Sequence, residues 1–178
     1  MEFTKLIEER RSIRDYASDV AITKDEIEKM IYAAQQAPSW KNSETGRYYV
    51  AITKDGIKSV RNALPGFNFE RTQNAAAYIV TTYKTKISGH DGEGNATDVN
   101  GDAWGAYDLG LQNENLLLMA RELGYDTLIM GLRDVEALKE LFAIPNDEAI
   151  MSVIAVGKRA STPEKPQRKE IDEILKFI

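Results

Sequence analysis

Hydrophobic and polar positions along the chain follow two rhythms, one helical and one strand-like, and their order predicts the elements. Leu6 and Ile7 in a charged frame from Glu2 to Arg11 read as a short amphipathic helix, which runs into the basic cluster Arg10-Arg11-Ser12-Ile13-Arg14. Thr23 and Glu26 form a capping-box pattern, and Ile27, Met30, Ile31 and Ala34 then recur at helical spacing until Pro38 stops the run. Tyr48 to Ile52 and Ala76 to Tyr83 are β-branched or aromatic runs that predict two interior strands, separated by a short helix from Gly56 to Ala63.

The longest predicted helix runs from Asp102 to Leu123 and is closed by Gly124, a residue suited to a left-handed C-terminus. Leu109, Leu116, Met119, Ala120 and Leu123 make one apolar stripe, and Leu111, Leu117 and Leu118 widen it, so burial is expected on more than one side. A subunit interface and the core of a monomer both satisfy that pattern. Thr127 to Met130 predicts a short strand, Asp134 caps a helix from Val135 to Phe142, and Ile150 to Val156 predicts a strand ending at Gly157. Pro163 and Pro166 lie in a charged surface stretch ahead of a short terminal helix from Glu170 to Phe177. About four strands among longer helices give one α+β or mixed α/β domain over residues 1–178, without internal repeats.

Composition narrows the chemistry. With 178 residues, 43% hydrophobic and 29% charged, the chain is long enough to bury a sizeable core. A net charge of -5 argues against charge-driven nucleic-acid binding. The absence of cysteine excludes disulfides, thiolate catalysis and Cys-ligated metals, and the single histidine, His90, excludes a two-histidine metal site within one chain. No apolar run approaches the ~20 residues of a membrane span, so a cytoplasmic protein is expected.

Several motifs fail. In the Gly-, Asp- and Asn-rich loop from Asp91 to Asp102, the sixth position of a calcium loop falls on Ala96 or Ala103 where glycine is required, so the stretch reads as a solvated loop. There is no Walker A sequence and no Gly-x-Gly-x-x-Gly after a strand, and neither Ser12 nor Ser39 has a local histidine base. Four features survive. Arg10, Arg11 and Arg14 with Ser12 suit a phosphate clamp, and equally a solvated helix end. A second basic patch, Lys158-Arg159 and Lys165 to Lys169, either converges on the same anion or is tail charge. The loop Ala37 to Ser43 offers small polar residues and free amides for a planar ligand, and Met130-Gly131 ends a strand where backbone can approach a flat ring. Taken singly, the loop reads as plain surface.

In this order the residues resemble the nitroreductase family of FMN-dependent oxidoreductases over nearly the whole chain. The resemblance rests on Arg-Arg-Ser-Ile-Arg-Asp-Tyr at 10–16, Ala-Pro-Ser-x-x-Asn at 37–42, the Asn-Ala-Ala run from 74 and Asp-Leu-Gly at 108–110. It continues through Glu-Asn-Leu-Leu-Leu-Met-Ala at 114–120, Leu-Gly at 123–124, Ile-Met-Gly at 129–131, Val-Gly at 156–157 and Lys-Pro-x-Arg at 165–168.

The resemblance implies an α+β nitroreductase-like fold with a central, mostly antiparallel sheet of about four to five strands flanked by helices. It also implies a homodimer that shares FMN across its interface. By the same resemblance Arg10, Arg11, Ser12 and Arg14 hold the phosphate and ribityl end with Arg168 from the tail, and Asn68 and Arg71 address the pyrimidine edge. Pro38, Ser39 and Asn42 reach the flavin from the other subunit, and the backbone of Met130 and Gly131 approaches N5. No side chain is assigned a catalytic role, because the flavin does the chemistry. NADH or NADPH gives hydride to N5, and an electrophilic acceptor such as a nitroaromatic or quinone takes it in a ping-pong cycle. A reductive dehalogenase, a flavin-degrading enzyme or a non-catalytic flavin-binding module are the alternatives. The chain departs from the family at Ser43-Glu44-Thr45-Gly46, where many members have Gln-Pro-Trp, which places the difference in the acceptor pocket.

Overall fold

The computed structural model describes residues 2–178. Its elements are α1 (Phe3–Glu9), α2 (Lys24–Gln35), β1 (Gly46–Ala51), α3 (Lys54–Asn62), α4 (Gly66–Arg71), β2 (Ala77–Lys84), α5 (Ala103–Glu122), β3 (Asp126–Met130), α6 (Val135–Phe142), β4 (Glu148–Gly157) and α7 (Ile171–Ile174). A 3₁₀ turn at Trp40–Asn42 lies between α2 and β1. The capping box before α2 forms in full: Glu26 N donates to Thr23 Oγ1 at 3.2 Å and Thr23 N to Glu26 Oε2 at 2.8 Å.

The strands make one antiparallel sheet in the order β1-β2-β4-β3. Period-two alternation divides the core between its faces. Tyr78 and Val80 of β2 with Val153 and Ala155 of β4 join Val60, Leu138 and Ile144 under α3 and α6. Ala77 and Ile79 with Ile154 and Val156 join Ile27, Met30, Leu116 and Ala120 under α2 and α5. The result is a helix–sheet–helix sandwich of the α+β class.

Three sequence expectations change. The run near Tyr48 forms an edge strand and not an interior one, since β1 pairs only with β2; its half-buried Tyr49 and Tyr48 still pack on the two opposite core clusters. Helix α4 went unread because Gly-Phe-Asn-Phe-Glu-Arg has no helical apolar period; tertiary bonds hold it, among them Arg61 Nε to Phe69 O at 2.8 Å. The terminal helix shrinks to Ile171–Ile174, and no residue of it is buried.

Helix α5 buries Gly105, Asp108, Leu109, Gln112, Asn113, Leu116, Leu117 and Ala120. Its opposite face, with Tyr107, Gly110 and Glu114 exposed and Leu111 and Leu118 half-buried, is open. A Cβ added at Gly110 would meet no atom within 4 Å.

Candidate functional site

The basic cluster follows α1 and lies against the edge of the sheet. Ile13, fully buried, donates its N–H to Thr127 O at 3.0 Å, and Ser12 forms a parallel bridge with Thr127, so residues 11–13 run beside the start of β3. Alternation along this segment buries Ile13 and leaves Ser12 half-buried and Arg14 exposed. Arg10 Nε is 3.7 Å from Glu114 Oε1 on the open face of α5. Arg11 is turned back on Arg10 O at 2.7 Å, and Arg14 reaches only Ser12 O at 3.2 Å.

A buried ion cluster fixes where this segment starts. Asp126, 4% exposed, accepts from Arg159 N at 3.1 Å and Nε at 2.9 Å, and pairs with Arg159 Nη2 and with Arg121 Nη1 at 3.5 Å. Arg121 Nη2 continues to Glu9 Oε2 at 3.0 Å, which holds the Glu9 carboxyl below its ordinary range, and Arg159 Nη2 reaches Glu9 O at 3.4 Å. The hydrogen bonds it donates to Asp126 in turn raise the Arg159 guanidinium. Arg159, one of the residues offered for a second anion patch, is therefore a structural partner that anchors the residue before Arg10. Lys158, just after β4, stands 5.6 Å over the Tyr125 ring, and the rest of that patch, with Arg168, lies on the exposed tail.

The other end of β3 carries the second group. Met130 is buried and Gly131 exposed, with open space where a Cβ of Gly131 would stand. Asn68 of α4, 6% exposed, donates Nδ2 to Leu132 O at 3.3 Å, and Arg71 stands 5.5 Å over the Phe67 ring. Arg133, whose guanidinium burial draws down, straps Gly131 O to Ile150 O. The structure thus brings Arg10, Ser12 and Arg14 to one end of β3 and Asn68 and Gly131 to the other, separated by roughly 13 Å at ~3.3 Å per residue. Arg14, Arg71 and Arg168 form no ion pair among the described residues.

The loop after α2 makes none of its hydrogen bonds to these residues. Its amides are not free, as the sequence reading had them. Trp40 N donates to Asp108 Oδ2 at 3.0 Å, Asn42 N to Ser39 O at 3.1 Å, Ser43 N to Trp40 O at 2.8 Å and Glu44 N to Ser39 Oγ at 3.0 Å. Those bonds support a backbone in which Lys41, Asn42 and Glu44 have φ of 46°, 55° and 48°. Asn42 Nδ2 donates to Glu44 Oε1 at 2.8 Å, so the carboxylate that departs from the family pattern orients Asn42.

Beside this loop, a cavity of about 590 Å³ opens between Trp40, Lys41, Ser43 and residues 86–94, with His90 in its wall. The Asp-rich stretch is organised by its own side chains: Asp91 Oδ1 accepts from Asn95 N and Glu93 N, both at 2.9 Å, which holds its carboxyl low. The Trp104 indole does the same for Asp98 at 3.0 Å, and Trp104 stacks tilted on Trp40 at 4.8 Å. Sequence assigns no role to Ser88 or Arg133, and Asp108 enters it only as part of the Asp-Leu-Gly motif. A lone aspartate inside the apolar part of a helix was the further signal for Asp108, and the partners, far away in sequence, gave none.

Comparison with known proteins follows the same map. The model of the nitroreductase family matches residues 7–84 and 70–158. A protein of Archaeoglobus fulgidus, named as a candidate NADH dehydrogenase/NAD(P)H nitroreductase, is 34% identical over 161 residues, covering 88% of this chain and 84% of its own. The crystal structure of a candidate nitroreductase from Exiguobacterium sibiricum in complex with FMN superposes with a TM-score of 0.88 at 22% identity, covering 100% of this chain and 98% of that one. The enone reductase CLA-ER of a gut-bacterial fatty acid saturation metabolism superposes with a TM-score of 0.86 at 23% identity, covering 99% and 98%. These likenesses establish a shared fold.

Proposed function

The chain belongs to the nitroreductase family, and from that membership and the residues along β3 we propose that it is an FMN-dependent NAD(P)H oxidoreductase that works as a homodimer. The observation that carries the reading is the set of groups beside β3 and on α4 that no acidic side chain claims. Arg14 and Arg71 lack acidic partners among the described residues, the Ser12 hydroxyl takes no protein partner, and the Gly131 backbone is open where a Cβ would stand. Guanidinium groups and a hydroxyl at one end suit a phosphate and its polyol, and an unshielded backbone at the other suits a planar ring, so the residues present fit FMN.

In this reading Arg10, Ser12 and Arg14 bind the phosphate and ribityl end, with Arg168 adding charge from the tail, while Arg11 closes the segment on Arg10. Asn68, fixed by Leu132 O, and Arg71 orient the ring, and Met130 and Gly131 present backbone to it. Pro38, Ser39 and Asn42 reach the ring from the other protomer. When bound, FMN supplies the redox chemistry, accepting hydride from NAD(P)H and delivering it to an electrophile in ping-pong fashion. The protein's share is orientation and a fixed electrostatic setting. Relatives named for nitro compounds and for an enone make both classes the acceptors to try first.

The test is the visible spectrum of the purified protein, followed by anaerobic additions of NADH and NADPH. A flavin band that bleaches with either nicotinamide and recovers with a nitroaromatic, quinone or enone supports the assignment. A flavin band that no nicotinamide bleaches would leave a binding module, and a protein that neither carries nor takes up FMN would overturn the reading.

A further inference from the structure

The two loops around the cleft hang from one carboxylate. Asp108 projects from α5 and is 2% exposed. Its Oδ2 accepts from Trp40 N at 3.0 Å and from Ser88 Oγ at 2.7 Å. Ser88 spends its single hydroxyl proton on that bond, so Ser43, whose Oγ is 2.7 Å from Ser88 Oγ, donates to Ser88 in turn. A chain of hydrogen bonds therefore runs from residues 39–43 through Ser88 to α5. Meanwhile Trp40 packs on Trp104, which is also on α5.

Those contacts explain how the 39–44 loop keeps its shape. Lys41, Asn42 and Glu44 are all left-handed, a region that side-chain-bearing residues occupy only when their surroundings hold them there. Trp40 immediately precedes the first of them, so the bond from its N–H to Asp108 fixes the point from which the strained turn departs. Of the loop's other bonds, Glu44 N to Ser39 Oγ and Asn42 Nδ2 to Glu44 Oε1 are internal, and Arg47 Nη1 of β1 to Glu44 O at 2.8 Å ties only its far end to the sheet, leaving the Trp40 end to Asp108.

We propose that Asp108 is a positioning residue: through Trp40 N it sets Ser39 and Asn42 in place, and through Ser88 it joins them to residues 86–94, so that the two walls of the cavity beside Trp40 hold one spacing. The consequence for turnover rests on the flavin reductase reading, whereas the anchoring itself does not. An acceptor oxygen at Oδ2 is what the anchor needs. Oδ1 takes no hydrogen bond from the described residues, so an amide nitrogen there displaces no donor.

The experiment compares Asp108→Ala, Asp108→Asn and Ser88→Ala with the wild type, each as purified with FMN. Trp40 and Trp104 are the only two tryptophans of the chain, and at 4.8 Å and 50° their rings form a chiral pair, so an exciton couplet in circular dichroism reports the loop without any flavin chemistry. Asp108→Ala is expected to lose the couplet and to weaken FMN retention by about tenfold or more, the scale of a stranded buried donor. Asp108→Asn should keep the couplet and hold FMN within about threefold. Ser88→Ala, which leaves the Trp40 bond intact, should raise the KM for the acceptor several-fold while kcat and FMN retention stay put. Asp108→Ala with the couplet and FMN affinity intact, Asp108→Asn as damaged as Asp108→Ala, or Ser88→Ala with unchanged KM would each overturn the proposal. If Asp108→Ala does not fold, the other two variants still decide it. A couplet that responds as expected in a protein that NAD(P)H fails to bleach would remove the reductase reading and leave the anchor standing.

Discussion

Arg10 illustrates how one side chain is prepared for an anion. Its side chain keeps 22% of its surface, and its Nε stands 3.7 Å from Glu114, a distance at which a carboxylate steadies the fork without the closer contact of a bidentate pair. The proposed role makes a definite demand: Arg10→Ala should weaken FMN retention by ~1.5–3 kcal/mol, measured by fluorescence titration of the apoprotein, because a charge-assisted hydrogen bond is lost. Equal affinity in the variant would remove Arg10 from the site. Arg10, Ser12 and Arg14 were legible in the sequence because they are adjacent and share a charge. The bonds of Asp108 were not, because its partners lie 68 and 20 residues away and only the folded chain brings them to it.

At the scale of elements, close packing between α5 and the sheet depends on Gly105. A Cβ there would stand 2.5 Å from Tyr83 Cδ2 and 3.3 Å from Cγ, inside the body of the ring. In a free helix alanine would be the better residue, yet Gly105→Ala should destabilise this protein by about 1–3 kcal/mol in denaturant unfolding, because overpacking outweighs the helix propensity. Helices with a cap and a periodic stripe, such as α2 and α6, could be read from the chain within a residue or two. Helix α4 and the edge position of β1 could not, since six residues held by tertiary bonds carry no period, and a run of apolar residues does not say which side of a sheet it will occupy.

For the whole molecule, the open face of α5 is the feature a single protomer does not explain. Gly110 sits in the interior of a 20-residue helix, where glycine costs ~1 kcal/mol against alanine, and no atom of its own chain lies near enough to need the space. In the homodimer proposed above, close approach by a second copy along Tyr107, Leu111 and Leu118 is the reason. Gly110→Arg should sediment as a monomer at concentrations where the wild type is a dimer, and should lose FMN with it if residues 38–42 complete the site from the other chain. A wild type that sediments as a monomer would end the shared-site reading. Among the described residues no helix is long and apolar enough to cross a membrane.

The parallel bridge between Ser12 and Thr127 has a colloidal consequence as well. β3 is the outer strand of the sheet, and Leu128, Ile129 and Met130 make its margin rich in apolar, strand-forming side chains. Residues 11–13 lie along part of that margin and satisfy backbone groups there, which makes them a guard rail against sheet-to-sheet association. A protease cut or a fusion partner that peels this segment away would strip the arginines from the site and uncover an adhesive margin at once. Loss of pigment and onset of turbidity should therefore arrive together in an ageing preparation.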